Sequence, residues 1–282
     1  MPDGDPAAAL TVAARGSMPH PAYALAYCRR VSIDQHDDDV AAVQRPGPLY
    51  FAGRILMAPL LKLVYRPRVI GKRNVPKQGK VILASNHLSF IDSVVIPMTA
   101  PRRVQFLAKS SYFEGTGLKG RVSRAFFTAI GAVGVKRGAG AAAQEALDQS
   151  RRIIDTGAAF ALYPEGTRSL DGRLYKGRTG IGWLALTTGA VVVPVGLIGT
   201  DRMQPVGAKF PKPHRITVVF GEPLDLSHYG PAESGRARRQ ATDAIMSAIH
   251  GLTGQELAGV YNEAPPANTV ERVKRALRPE RL

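Results

Sequence analysis

The stretch Val81-Ile-Leu-Ala-Ser-Asn-His-Leu-Ser-Phe-Ile-Asp92 decides how the rest of the chain is read. A short apolar run breaks off at a polar corner, and that corner offers His87 and Asp92. A histidine and a carboxylate at a strand end are the minimum set for taking a proton from a hydroxyl group. In one continuous helix, positions five apart point about 140° away from each other, at roughly 100° per residue. The two side chains therefore meet only if His87 lies in the turn and Asp92 in the first turn of a following helix. Ser89-Phe-Ile-Asp92 has the spacing of a capping box that would make this break, with Ser89 as N-cap and Asp92 at the third helical position. Taken alone, the same residues also describe a plain capped turn, in which Asp92 serves the helix and His87 is incidental.

Outward from this corner the chain alternates. Strand-like runs fall at Lys80–Ser85, Val104–Ala108, Ala159–Tyr163, Val191–Gly196 and Ile216–Phe220. Several are continuous and β-branched, as in strands buried on both faces. Helical patterns intervene at about 90–99, 121–130, 139–156, 179–189 and 236–252. The alternation predicts an α/β domain with a largely parallel central sheet flanked by helices. Thr179–Thr200 has no charged residue but holds five glycines and Pro194, so it reads as a buried helix–turn–strand rather than a membrane span.

Before this body lies Leu49–Tyr65, strongly apolar, with Arg54, Pro59 and Lys62 inside it and Arg66, Arg68, Lys72 and Arg73 just after. Two charges and a proline argue against a spanning helix. An apolar segment with basic flanks suits an amphipathic helix or helix pair lying in the membrane interface; packing on the protein's own core is the alternative. The expected organisation is a disordered leader at 1–47 and a membrane-interface segment at 48–75. An α/β domain at 76–255 and a polar tail at 256–282 with a basic helix near 268–278 complete it.

The 282 residues carry 38 Lys and Arg against 22 Asp and Glu, a formal charge of +16. All of the excess lies after residue 47. A cationic body implies anionic partners: nucleic acid, phosphorylated metabolites or an anionic membrane surface. Cys28 is the only cysteine, which excludes an intrachain disulfide framework and a thiolate zinc site. No secretory signal is readable. Nucleic acid is not expected: it would need a basic recognition helix or aromatic–basic interleaving, of which Arg236-Ala-Arg-Arg239 is the only hint, and aromatics are 7% of the chain.

A second polar corner follows another strand, in Tyr163-Pro-Glu-Gly-Thr-Arg-Ser169. Gly166 allows close backbone approach, and Thr167, Arg168 and Ser169 offer donors suited to an anion, with Glu165 orienting the arginine or accepting from a substrate hydroxyl. A surface turn with a salt bridge is the alternative. Lys109 ends another strand, and Gly131-Ala-Val-Gly-Val-Lys-Arg137 is a small-residue run ending in two cations. On a parallel sheet such strand ends gather at one edge.

Asn86-His-Leu-Ser-Phe-Ile-Asp92 resembles the NHxxxxD block of the glycerolipid acyltransferases. Gly131–Arg137, Glu165–Ser169 and Val193-Pro-Val195 are similar to the second, third and fourth blocks of that family, in the family's order. The resemblance covers roughly residues 65–225 and is greatest to 1-acylglycerol-3-phosphate acyltransferases. It implies that His87 is the general base and Asp92 its orienting partner. It further implies that Arg137, Arg168 and nearby glycines (Gly166 among them) hold the acceptor phosphate, with Glu165 and Thr167 in the same block. Lys109 is a further candidate; Asn86, Ser89, Ser169 and Pro194 are supporting residues. The implied partners are a lysophospholipid acceptor, an acyl-CoA or acyl-carrier-protein donor as co-substrate, and an anionic membrane surface, on the cytoplasmic side of the cell membrane. No metal or cofactor is implied. The second block departs from the family's habit: Lys136 stands where an acidic residue is common before the arginine, which bears on the identity of the acceptor.

Overall fold

A computed structural model describes residues 48–136, 140–208 and 210–263. The expected leader, Arg137 and the expected basic helix near 268–278 lie outside the described residues.

Helix α1 (Pro48–Tyr65) opens the described chain, followed by the short strand β1 (Arg68–Ile70). Then come β2 (Val81–Ser85), α2 (Asp92–Thr99), β3 (Val104–Lys109), α3 (Gly117–Ala129), β4 (Ala132–Val135), α4 (Ala141–Asp155) and β5 (Ala159–Leu162). The chain continues through β6 (Leu174–Lys176), α5 (Gly180–Thr188), β7 (Val191–Ile198), α6 (Thr200–Met203), β8 (Thr217–Phe220), α7 (Gly235–Thr253) and β9 (Leu257–Tyr261).

Seven strands form one sheet in the order β1-β8-β7-β2-β5-β3-β4. β7, β2, β5, β3 and β4 run parallel, so their carboxyl ends share one edge; β8 is antiparallel to β7, and β1 follows β8. Both faces are buried. Val81 and Leu83 pack into one cluster with Val94–Ile96 of α2 and Phe127 of α3. Ile82 and Ala84 pack into the other, with Ile153 of α4, Leu184 of α5 and Ile245 of α7. β2 therefore has no solvent face, which is why it reads as an unbroken apolar run instead of an alternating one. Thr179–Thr200 is the expected helix–turn–strand, broken by Gly189 in the left-handed region (φ 61°).

The differences from the sequence reading have local causes. Helix α3 begins at Gly117, four residues before its apolar periodicity. β1 and β4 are three and four residues long, and glycine or flanking cations hide them. β1 belongs to the sheet rather than to the apolar segment preceding it, and β9 extends the packed body past residue 255 by pairing with β6 across more than 80 residues. No local pattern encodes such a pairing.

The apolar segment is one helix, and among the described residues no helix is long and apolar enough to cross a membrane. One side of α1 is built into the domain. The Tyr50 hydroxyl accepts from Val104 N (3.1 Å), and Gly53 lies so close to α3 that a Cβ there would sit 2.7 Å from that of Ala129. Arg54, which in the sequence looks like a basic interruption, donates to the carbonyls of Pro97 (3.3 Å), Ala100 (2.6 Å) and Arg102 (2.9 Å). Its charge thus answers the carbonyl end of α2. Arg54→Ala is expected to lower unfolding free energy by about 2 kcal/mol, in the range of hydrogen bonds to charged groups. Urea denaturation measures this, and an unchanged midpoint would refute the anchoring role.

Candidate active site

β2 ends at Ser85, and Asn86 then replaces backbone with side chain. Its Nδ2 donates to Leu197 O (2.9 Å) and its Oδ1 accepts from Leu197 N (2.8 Å), so one residue satisfies both main-chain groups of the neighbouring strand. Nδ2 also donates to Gln255 Oε1 (2.8 Å). The main chain of the next residue is freed from the ladder and turns away. That residue is His87, and its backbone is held from the second corner. His87 N donates to Glu165 Oε1 (2.9 Å), and His87 O accepts from Ser169 N (2.7 Å).

His87 Nδ1 lies 2.9 Å from Asp92 Oδ2, with Asp92 fully buried as the first residue of α2. The same oxygen accepts from Leu88 N and Ser89 N, each at 2.8 Å. A carboxylate oxygen in this setting accepts, so Nδ1 donates, and in the neutral imidazole Nε2 then presents a lone pair. The Tyr163 ring stacks on the imidazole, with centroids 3.8 Å apart and planes 11° apart, and its hydroxyl meets Ser93 Oγ at 3.1 Å. Burial raises the Tyr163 phenol well above its ordinary pKa, and the nearby Asp92 carboxylate adds to the effect, so the ring is a neutral wall.

Only half of the expected capping box forms. Asp92 reaches back to backbone N–H groups, but the helix is capped at Ile91 without a side-chain bond. The Ser89 hydroxyl instead donates to Gln204 O (2.8 Å), in the segment after α6. A partner 115 residues away outcompetes the local cap.

Glu165 also differs from expectation. It is fully buried and orients no arginine: Oε1 takes the His87 N–H and Oε2 takes Tyr175 N (3.0 Å) of β6. Burial pushes its pKa up to about 7, against the two backbone hydrogen bonds that favour the charged form. Gly166 turns with φ 80°, and a Cβ there would approach Arg178 Nε at 3.0 Å. Thr167 and Arg168 have their carbonyls held by Asn262 Nδ2 (3.3 and 3.1 Å), which leaves the Arg168 side chain exposed and without an ion pair among the described residues. Ser169 Oγ donates to Asp171 (3.1 Å). Burial works against the Asp171 carboxylate, yet hydrogen bonds from Arg173, Tyr175 and Ser169 hold it at about 2.

Lys109 ends β3 at the same sheet edge, exposed, two strands from β2. Pro194 lies in β7 opposite Ala84, and its carbonyl accepts from Gly221 N (2.8 Å) just past the end of β8. A residue lacking an N–H fits where the neighbouring strand stops. Tyr163 and Asn262 escaped the sequence reading as site residues. Tyr163 had a signal, an aromatic as the last residue before Pro164 at a strand end, whereas Asn262 had none. A cavity of about 820 Å³ lies between α1, Val69 of β1 and the last turn of α2, lined by Phe51, Ile55 and Met98 among others. It meets α2 at the opposite end from Asp92, so it is separate from the dyad.

Two consequences of the Glu165 clamp are measurable. Glu165→Gln keeps one acceptor for two backbone donors, so unfolding free energy is expected to fall by about 1–3 kcal/mol. Because Glu165 holds its proton to about pH 7 in the folded chain against 4.5 ordinarily, its proton-linked contribution is complete below about pH 4.5. It is lost as the pH rises towards 7. Urea midpoints taken across that window should decline in the unsubstituted chain, and Glu165→Gln should remove this part of the decline; parallel curves would contradict the assignment.

The family model described as Acyltransferase matches residues 66–198, the interval from β1 to the end of β7. A 1-acyl-sn-glycerol-3-phosphate acyltransferase of Chlamydomonas reinhardtii is 29% identical over 204 residues, covering 72% of this chain and 57% of that protein. The chloroplastic enzyme of that name in Arabidopsis thaliana is 28% identical over 162 residues, covering 57% of this chain and 44% of that protein. This chain thus spans about half the length of these relatives. In fold it is similar to the 1-acyl-sn-glycerophosphate acyltransferase PlsC from Thermotoga maritima, with a TM-score of 0.56 at 20% identity over 82% of this chain and 88% of that one. Over residues 66–198, with the four motif blocks in order, the chain is similar to the acyltransferase family.

Proposed function

We propose that this protein transfers an acyl group from acyl-CoA or an acyl-carrier protein to the free hydroxyl of 1-acylglycerol 3-phosphate, giving phosphatidic acid. The observation that carries the reading is the His87–Asp92 pair at 2.9 Å, with Nε2 left as acceptor. Nε2 takes the acceptor's hydroxyl proton as its oxygen attacks the thioester carbonyl. The tetrahedral intermediate collapses by breaking the carbon–sulfur bond, and the imidazolium returns the proton to the departing thiolate. Asp92 orients the ring and stabilises its cation. The substrate supplies the nucleophile, so no acyl-enzyme is needed. Arg168 is suited to the acceptor phosphate because its guanidinium is exposed at the same edge and its turn is held rigid by Asn262.

The names of the relatives favour lysophosphatidic acid as acceptor. Lys136 gives a specific reason to test others, namely glycerol 3-phosphate, other lysophospholipids and glycolipids. Association with an anionic membrane, peripheral or monotopic on its cytoplasmic side, is supported by the outer side of α1. Phe51, Ile55, Leu56 and Leu63 are exposed there within an arc of about 140°.

An acceptor panel with one thioester donor tests the substrate, and the reading fails if lysophosphatidic acid is not acylated while another acceptor is. His87→Ala should lower turnover by a factor of about 10² to 10⁴. Arg168→Ala should mainly raise the acceptor KM; a change confined to the donor KM would place the arginine on the other substrate.

A further inference from the structure

The segment between α6 and β8 ends in an exposed apolar tip: Phe210 is 80% exposed and Val206 63%. The tip is built rather than loose. Ala208 N donates to Pro205 O (3.0 Å), Lys212 N to Met203 O (2.7 Å) and Gln204 Nε2 to Ala208 O (3.3 Å), with Pro205, Pro211 and Pro213 restricting the backbone. A large aromatic held into water by an ordered turn is costly unless something apolar covers it.

Three further features say what covers it. Between Thr200 and Arg215 the only acidic residue is Asp201. Arg202, Lys212 and Arg215 are exposed and form no ion pair or side-chain hydrogen bond among the described residues, so cations flank the tip on both sides in sequence. Ile216 O accepts from Arg68 N (2.9 Å), a bond that brings the end of α1, with exposed Leu63 and Val64, to the same sheet edge. The root of the segment is the acceptor for Ser89, within the turn that carries His87 and Asp92.

We propose that this segment, through Val206 and Phe210 with Lys212 and Arg215 beside them, is a second contact with an anionic lipid surface. It acts beside α1 and holds the His87 edge towards the bilayer. Apolar residues at the tip with cations behind them match acyl chains beneath anionic headgroups. An acidic protein surface would use the cations but leave the aromatic tip unexplained. The inference rests on the membrane part of the proposed function and adds a site and an orientation to it.

The test is sedimentation of the full chain with equimolar phosphatidylglycerol–phosphatidylcholine vesicles. Val206→Ser with Phe210→Ser should weaken partitioning about tenfold, from the apolar surface left in water. Turnover on a short-chain, monomeric acceptor without vesicles should be unchanged. Phe210→Trp should show a vesicle-dependent blue shift and quenching by brominated lipid beyond the background of Trp183, and this decides the matter if the double variant does not fold. Equal vesicle binding by the folded double variant overturns the inference. So does a loss confined to turnover with an acyl-carrier-protein donor, which would assign the surface to that acidic protein. If the unsubstituted chain binds no vesicles, the membrane reading falls as well. If the double variant loses binding while lysophosphatidic acid is not acylated, the contact stands and the acceptor reading falls alone.

Discussion

The site depends on a buried carboxylate that bonds to main chain instead of to a cation. Glu165 links the backbone N–H of His87 to that of Tyr175, and Ser169 N closes the frame on the His87 carbonyl. A loop residue fixed at both its donor and its acceptor has little freedom left for its side chain to wander. Its imidazole is then trapped between the Asp92 carboxylate and the Tyr163 ring. Two corners from non-consecutive strands, β2 and β5, thereby become one rigid unit. Adjacent parallel pairing of those strands is what brings the corners within hydrogen-bond reach.

Division of labour among the polar residues follows from burial. Asn86, Asp92, Glu165 and Ser169 are buried, and each is engaged by named backbone or side-chain partners. Buried polar groups left unpaired are costly, so these residues are committed to the frame. Arg168 and Lys109 are exposed and make no ion pair among the described residues, which suits groups that must exchange water for an anionic ligand. The Glu-Gly-Thr-Arg block is therefore mixed in character: its acid holds the histidine, and its arginine faces outward.

The same contrast runs through α1. Tyr50, Gly53 and Arg54 are consumed by packing and by the carbonyl end of α2, while the opposite side presents exposed leucine, isoleucine and phenylalanine. The charge that in sequence interrupts an apolar run is a structural anchor. Parallel β1–β8 pairing then carries the end of this helix to the edge where the His87 turn lies.

Much of the fold was legible because burial on both faces imprints itself on composition. Five core strands and five helices announce themselves as apolar runs, several of them β-branched, and as helical patterns. The His87–Asp92 contact stayed open in the sequence, since five-residue spacing permits it only across a break and the same residues also describe a plain capped turn. Sequence could not assign the roles of Ser89, Glu165, Arg54 and Asn262, each of which meets a partner between 43 and 115 residues away. Local pattern determined which elements form and where the chain must turn. Tertiary structure alone decided which polar group each turn residue meets, because a hydrogen bond of about 3 Å depends on how strands are ordered in space and leaves no period along the chain.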